Sequence, residues 1–144
     1  MNNSLIVSQT IEINAPLSKV WEGLTTPSII KQYLYGTNTE TDWKVGSEIV
    51  FHGEYEGHVY RDRGVVVENE PLKKLSYSYW SGFSGLEDKP ENYSSITYLL
   101  EEKRPGVTSF TWIQKGYADE ERKKHSEEGM PEFLAGLKKV IENA

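Results

Sequence analysis

The sequence predicts an α+β fold: a curved antiparallel sheet of about six strands, with two short helices after the first strand, wrapped around a long C-terminal helix. Three observations predict it. Alternating β-branched and aromatic runs, separated by turn residues, fill the chain from Trp43 to Gly116. Two short helical patterns meet at Thr26-Pro27, just after the first strand. The last segment repeats apolar residues at i, i+3, i+4 and i+7, the stripe of a helix lying on a core. Consecutive strands joined by tight turns form antiparallel sheets, and helices gathered before and after them cover one face.

Each element has its own justification. In SLIVSQTIEINA, Ile11 and Ile13 alternate with Glu12 and Asn14, a strand that Pro16 stops. LSKVWEGLTT places Leu17, Val20, Trp21 and Leu24 on one helical face, with Ser18 near its start. Thr26-Pro27 opens the second helix, with threonine as its cap, and Gly36 ends it. EIVFHGEYEG runs into a Glu-Gly hairpin, HVYRDRGVVVENEP returns as a long strand stopped by Pro71, and LSYSYWSG follows. After a loop from Ser84 to Asn92, SSITYLLEEK and VTSFTWIQKG flank a hairpin turn at Arg104-Pro105-Gly106. Met130, Phe133, Leu134, Leu137, Val140 and Ile141 form the apolar stripe of the last helix. Gly129 and Pro131 interrupt it, so the expectation is a frayed or separate part from Asp119 to Glu128 and a firm helix from about Pro131.

Composition narrows the function classes. The 144 residues suit one domain, 1–144, and the 37% hydrophobic and 26% charged content is that of a globular chain. A net charge of -6 argues against a nucleic-acid partner, because phosphate binding needs clustered Lys and Arg. The one dense basic group, Arg122-Lys123-Lys124, sits between acidic runs and reads as a solvated helix face. With no cysteine, disulfides, thiolate catalysis and cysteine-ligated zinc are excluded. No run approaches the roughly 20 apolar residues of a membrane span. No secretory pattern opens the chain, so a cytoplasmic location is expected.

The candidate site starts from LSYSYWSG. Alternation puts Leu75, Tyr77 and Tyr79 on one face and Ser76, Ser78 and Trp80 on the other. The rings are either plain core or the wall of a cavity, where a buried hydroxyl finds a partner in a ligand or trapped water. Trp80 joins them only if a bulge breaks the alternation. Further wall candidates are Phe51, Tyr60, Tyr98, Phe110 and Trp112 from the sheet, with Met130, Phe133, Leu134 and Leu137 from the helix. Their number argues for a pocket with mixed apolar and polar lining.

Other chemistry has weaker support. His52, Glu54 and His58 lie near the hairpin, but the H-E-x-x-H spacing is absent and hairpin tips face water, so no metal is expected. Nothing places His52, His58 or His125 beside a serine nucleophile, and no catalytic residue is assigned. Glu48, Glu54, Asp62 and Glu68 are candidate general acids, best read as solvated. Asp62, set between Arg61 and Arg63, is explained by local charge pairing.

Several ordered motifs carry a resemblance along the whole chain: TIEINAPLSKVWEGLTTP, YLYGTNTETDWKVGSEIVF, RDRGVVVENEPLKKLSYSYW, SSITYLL and GLKKVIE. The chain resembles the SRPBCC (START-like) superfamily, with its helix-grip fold, and within it the branch of the activator of the heat-shock-protein-90 ATPase. Relatives often carry tryptophan after the glycine at the start of the last helix, where this chain has Met130. The superfamily hosts lipid carriers, cyclases and co-chaperone domains, so the resemblance implies three readings. The first is binding of a small hydrophobic or amphipathic ligand between sheet and helix, without cofactor, in a monomer or weak homodimer. The second is a cyclase- or hydrolase-like enzyme in the same cavity, favoured by a buried carboxyl or tyrosine pair. The third is a chaperone-cofactor-like interaction domain. A chaperone partner is the least expected, because in the eukaryotic namesake another domain takes a major part in that binding.

Overall fold

The computed structural model describes residues 1–144. Seven strands form one antiparallel sheet: β1 (Asn2–Ile13), β2 (Asn38–Glu40), β3 (Glu48–Tyr55), β4 (His58–Glu70), β5 (Lys74–Tyr79), β6 (Ser94–Arg104) and β7 (Val107–Tyr117). Their order is β1-β7-β6-β5-β4-β3-β2, a meander from β2 to β7 with β1 added beside the last strand. The strand beyond the six expected is the three-residue β2, too short to show as alternation. Helices α1 (Leu17–Thr25) and α2 (Pro27–Tyr33) follow β1, and α3 (Glu120–Glu142) closes the chain against the sheet. Thr26 occupies the cap position of α2, but its hydroxyl makes no capping bond. The main core, 20 buried residues, joins the sheet's inner face to all three helices, and Leu5, Val7 and Tyr117 form a small separate cluster.

The long helix departs from expectation: α3 runs unbroken through Pro131. A proline at that position has no N–H for the carbonyl one turn back, that of Glu127. The Gln9 side-chain amide on β1 donates to that carbonyl at 3.3 Å and takes the missing donor's place. Asp119 caps the start of α3 by accepting from the Arg122 N–H at 2.9 Å, and Glu120 and Glu121 complement the helix dipole. The division expected at Gly129 survives in packing. All four buried residues of α3 (Met130, Leu134, Leu137 and Ile141) lie in its second half. The first half is tied to the sheet by polar contacts, including Tyr117 with Ser126 at 2.9 Å.

Two glycines set close approaches. On α1, a Cβ at Gly23 would lie 2.6 Å from Ile141 Cγ1, so the missing side chain lets α1 press onto α3. On β4, a Cβ at Gly64 would lie 1.7 Å from the Ser78 carbonyl oxygen. Regular pairing with β5 holds at Val66 opposite Tyr77 and returns at Arg63 opposite Trp80. Between them the Val65 N–H donates to the Ser78 hydroxyl at 3.0 Å instead of to a backbone carbonyl. Only glycine lets the two backbones come so near, and this local irregularity lies two residues from Asp62.

Candidate ligand cavity

Between the inner face of the sheet and α3 lies a cavity of about 270 Å³. Alternation along each strand brings its walls inward: Phe51 from β3, Tyr77 and Tyr79 from β5, Tyr98 from β6 and Trp112 from β7. Met130 and Phe133 come from α3. These seven are the expected wall residues that the fold brings together. Leu75, Phe110, Leu134 and Leu137 are fully buried elsewhere in the core and do not reach the space. Tyr60 lies one layer away, its hydroxyl hydrogen-bonded to Thr37 at 2.5 Å and its ring 5.5 Å from that of Phe83.

Five lining residues were missed: Leu34, Thr37, Asp62, Ile96 and Gln114. Three of them had a signal in the sequence. Asp62 shares strand parity with Tyr60 and Val66, Ile96 with Tyr98, and Gln114 with Trp112. Leu34 caps the end of α2 and Thr37 lies in the connection after it, where parity says nothing.

Asp62 corrects the expectation of local charge pairing. Arg61 and Arg63 point to the outer face, where both reach Glu48, at 3.7 and 2.7 Å. Asp62 points the other way and is buried. Its carboxylate accepts from the Tyr79 hydroxyl at 2.7 Å and from the Gly82 N–H at 3.1 Å. Burial, reinforced by the Asp62 charge, pushes the Tyr79 phenol far above its ordinary range.

The other buried phenols form a second polar group. The Tyr77 and Tyr98 hydroxyls meet at 2.8 Å, with their rings edge to face at 5.8 Å. Burial raises both, Tyr77 well above its usual value. Burial also raises Tyr33, whose hydroxyl donates to the Gly23 carbonyl at 3.0 Å. At neutral pH these phenols stay protonated, so they supply donors and acceptors rather than a base. Gln114 is held by its amide donating to Ser94 Oγ at 3.2 Å. Trp80 keeps to the outer face, its indole N–H donating to the Leu86 carbonyl at 3.1 Å, so no bulge turns it inward.

The histidines fall outside the cavity. His52 stands 3.5 Å from Glu40 on β2, while His58 is exposed at the hairpin. Glu54 pairs in register with Val59, and these groups do not converge.

A family model described as activator of Hsp90 ATPase homolog 1-like protein matches residues 14–142. The chain belongs to that family. Among solved structures it is similar to ChR145 from Cytophaga hutchinsonii, at 41% identity over 99% of this chain and 97% of that one, with a TM-score of 0.83. It shares its fold with MLL2253 from Mesorhizobium loti, at 23% identity over 96% and 98% of the two chains and a TM-score of 0.76. The Aha1 dimer from Colwellia psychrerythraea is similar in fold at 19% identity, over 95% and 96% of the chains, with a TM-score of 0.73. Among curated proteins, none matches the chain. The helix-grip architecture expected from the motifs is therefore that of the family. No helix is long and apolar enough to cross a membrane.

Proposed function

We propose that this protein binds a small, largely apolar molecule in the cavity between sheet and α3; the buried Asp62 carboxyl and the Tyr77–Tyr98 pair are the features that an enzymatic use of the same cavity would draw on. The observation that carries this reading is unfilled space of about 270 Å³ bounded by aromatic rings, with the Tyr77 and Tyr98 hydroxyls bonded to each other and that of Tyr79 to Asp62. A recess of this size, lined mainly by apolar groups and lying beside a filled core, favours a guest. The lining combines apolar walls with a few placed polar groups, as ligand sites do. The volume lies near the low end of ligand pockets, roughly 300–1,000 Å³, which favours small guests over sterols.

Native mass spectrometry of the protein purified from the cells that make it tests the reading. A non-covalent adduct of small mass is expected, and heating should release it together with the fold. A guest at a hundredfold excess over its Kd stabilises by about 2.7 kcal/mol, a readable shift of melting temperature. Apo mass alone, with no stabilisation by phenylalkylamines, phenols, flavonoid-like aromatics or short fatty acids, would defeat the proposal.

A further inference from the structure

We infer that the guest is an amphipathic amine, its cationic head held at Asp62 and its apolar body against the aromatic wall. The inference rests on the cavity reading and adds the charge class of the guest. Among the lining residues Asp62 is the single charged one, and no Lys, Arg or His joins it. A carboxylate offers about four acceptor positions. Two are taken, by the Tyr79 hydroxyl and the Gly82 N–H, and both donors are neutral. A buried carboxylate is ordinarily matched by a cation. Here the two neighbouring arginines are committed outside: Arg61 to Glu48, and Arg63 to Glu48 and Asp88. The position left for a cation is inside the cavity.

The walls agree with that charge. Phe51 and Tyr79 stand with ring centroids 5.9 Å apart, and Phe51 also packs on Tyr77 at 5.8 Å. Aromatic faces attract an ammonium group, most strongly where water is excluded. An anionic head would instead meet Asp62 as a like charge, and a neutral alcohol would gain a hydrogen bond without the Coulomb attraction. Nothing on α3 that lines the cavity carries charge, since Met130 and Phe133 close that side.

Calorimetric titration with three probes of matched body tests it: 2-phenylethylamine, 2-phenylethanol and phenylacetate. The amine should bind at least tenfold more tightly than the alcohol, with phenylacetate the weakest. In Asp62→Asn the advantage of the amine over the alcohol should disappear while alcohol binding remains. Glu142→Gln removes a carboxylate at the far end of α3, outside the cavity, so the amine preference should persist there. If Asp62→Asn folds poorly, the ranking of the three probes on the unmutated protein decides. An alcohol or acid binding as tightly as the amine to the unmutated protein overturns the charge inference and leaves the cavity reading standing. Binding of none of the three overturns both.

Discussion

The two ends of the core are built from the same strands and the same helix, yet one is solid and the other hollow. At the solid end Leu75, Phe110, Leu134, Leu137 and Ile141 are fully buried and fill the space between sheet and helix. At the hollow end Tyr77, Tyr79, Tyr98, Trp112, Met130 and Phe133 surround a cavity. The difference lies in side-chain shape and polarity. The leucines and Ile141 interdigitate around Phe110, whereas the Tyr77, Tyr98 and Tyr79 rings are held at set angles by the bonds of their hydroxyls to one another and to Asp62. Stability therefore concentrates at one end of α3, and the capacity to receive a guest at the other.

The largest expected effect separates the two ends directly. Leu134→Ala should cost about 2–5 kcal/mol in denaturant unfolding, because its neighbours cannot close a cavity there. Met130→Ala should cost less than about 2 kcal/mol, since part of that side chain already faces empty space and fewer contacts are lost. Equal losses would erase the distinction. The reverse experiment adds volume. Leu75→Phe should destabilise by about 1–3 kcal/mol through overpacking. Ile96→Phe, directed into the cavity, should be tolerated and should abolish guest binding.

A smaller effect probes the polar wall. Tyr79→Phe leaves one Asp62 oxygen without its donor, a loss of about 1–3 kcal/mol for a buried group. A melting temperature unchanged by that substitution would mean that water serves Asp62 equally well.

The smallest concerns the far end of α3. Glu142 accepts from Lys138 at 2.7 Å and from the Asn14 N–H at 2.7 Å. Desolvation pushes its carboxyl up, but the bonds from Lys138 and Asn14 outweigh this and hold it below the usual glutamate value. A depressed carboxyl stabilises the fold above its unfolded pKa, and that stability is lost as pH falls through the folded value. Glu142→Gln should therefore cost less than about 1 kcal/mol at pH 7, and the difference from the unmutated protein should vanish in acid. A difference that persists at pH 2 would point to packing instead.

The fold was largely legible because its signals are local. Alternation marked the longer strands, the Arg104-Pro105-Gly106 turn set a hairpin, and the heptad-like stripe of α3 showed which face is buried. The continuity of α3 was not legible, because the group that answers Pro131 is Gln9, more than a hundred residues away on β1. The site was half legible for a related reason. Parity tells which face a residue occupies but not how far along the strand the core is filled. Leu75 and Tyr79 share a face, yet one lies at the solid end and the other at the hollow end. Asp62 was misjudged because its arginine neighbours in sequence suggested ion pairs, while the same alternation that placed Tyr60 inward also turned Asp62 inward. Charges adjacent along a strand point to opposite faces, so proximity in sequence is the wrong guide to pairing there.

The most direct test of the central claim is an amide chemical-shift titration with one small aromatic probe, 2-phenylethanol, at saturating concentration. Amides of Phe51, Tyr77, Tyr79, Ile96, Tyr98, Trp112, Met130 and Phe133 should move together. Those of Leu75, Phe110, Leu137 and Ile141 should stay still. Shifts confined to exposed loops, or spread evenly over both ends of the core, would contradict a hollow end built to hold a guest.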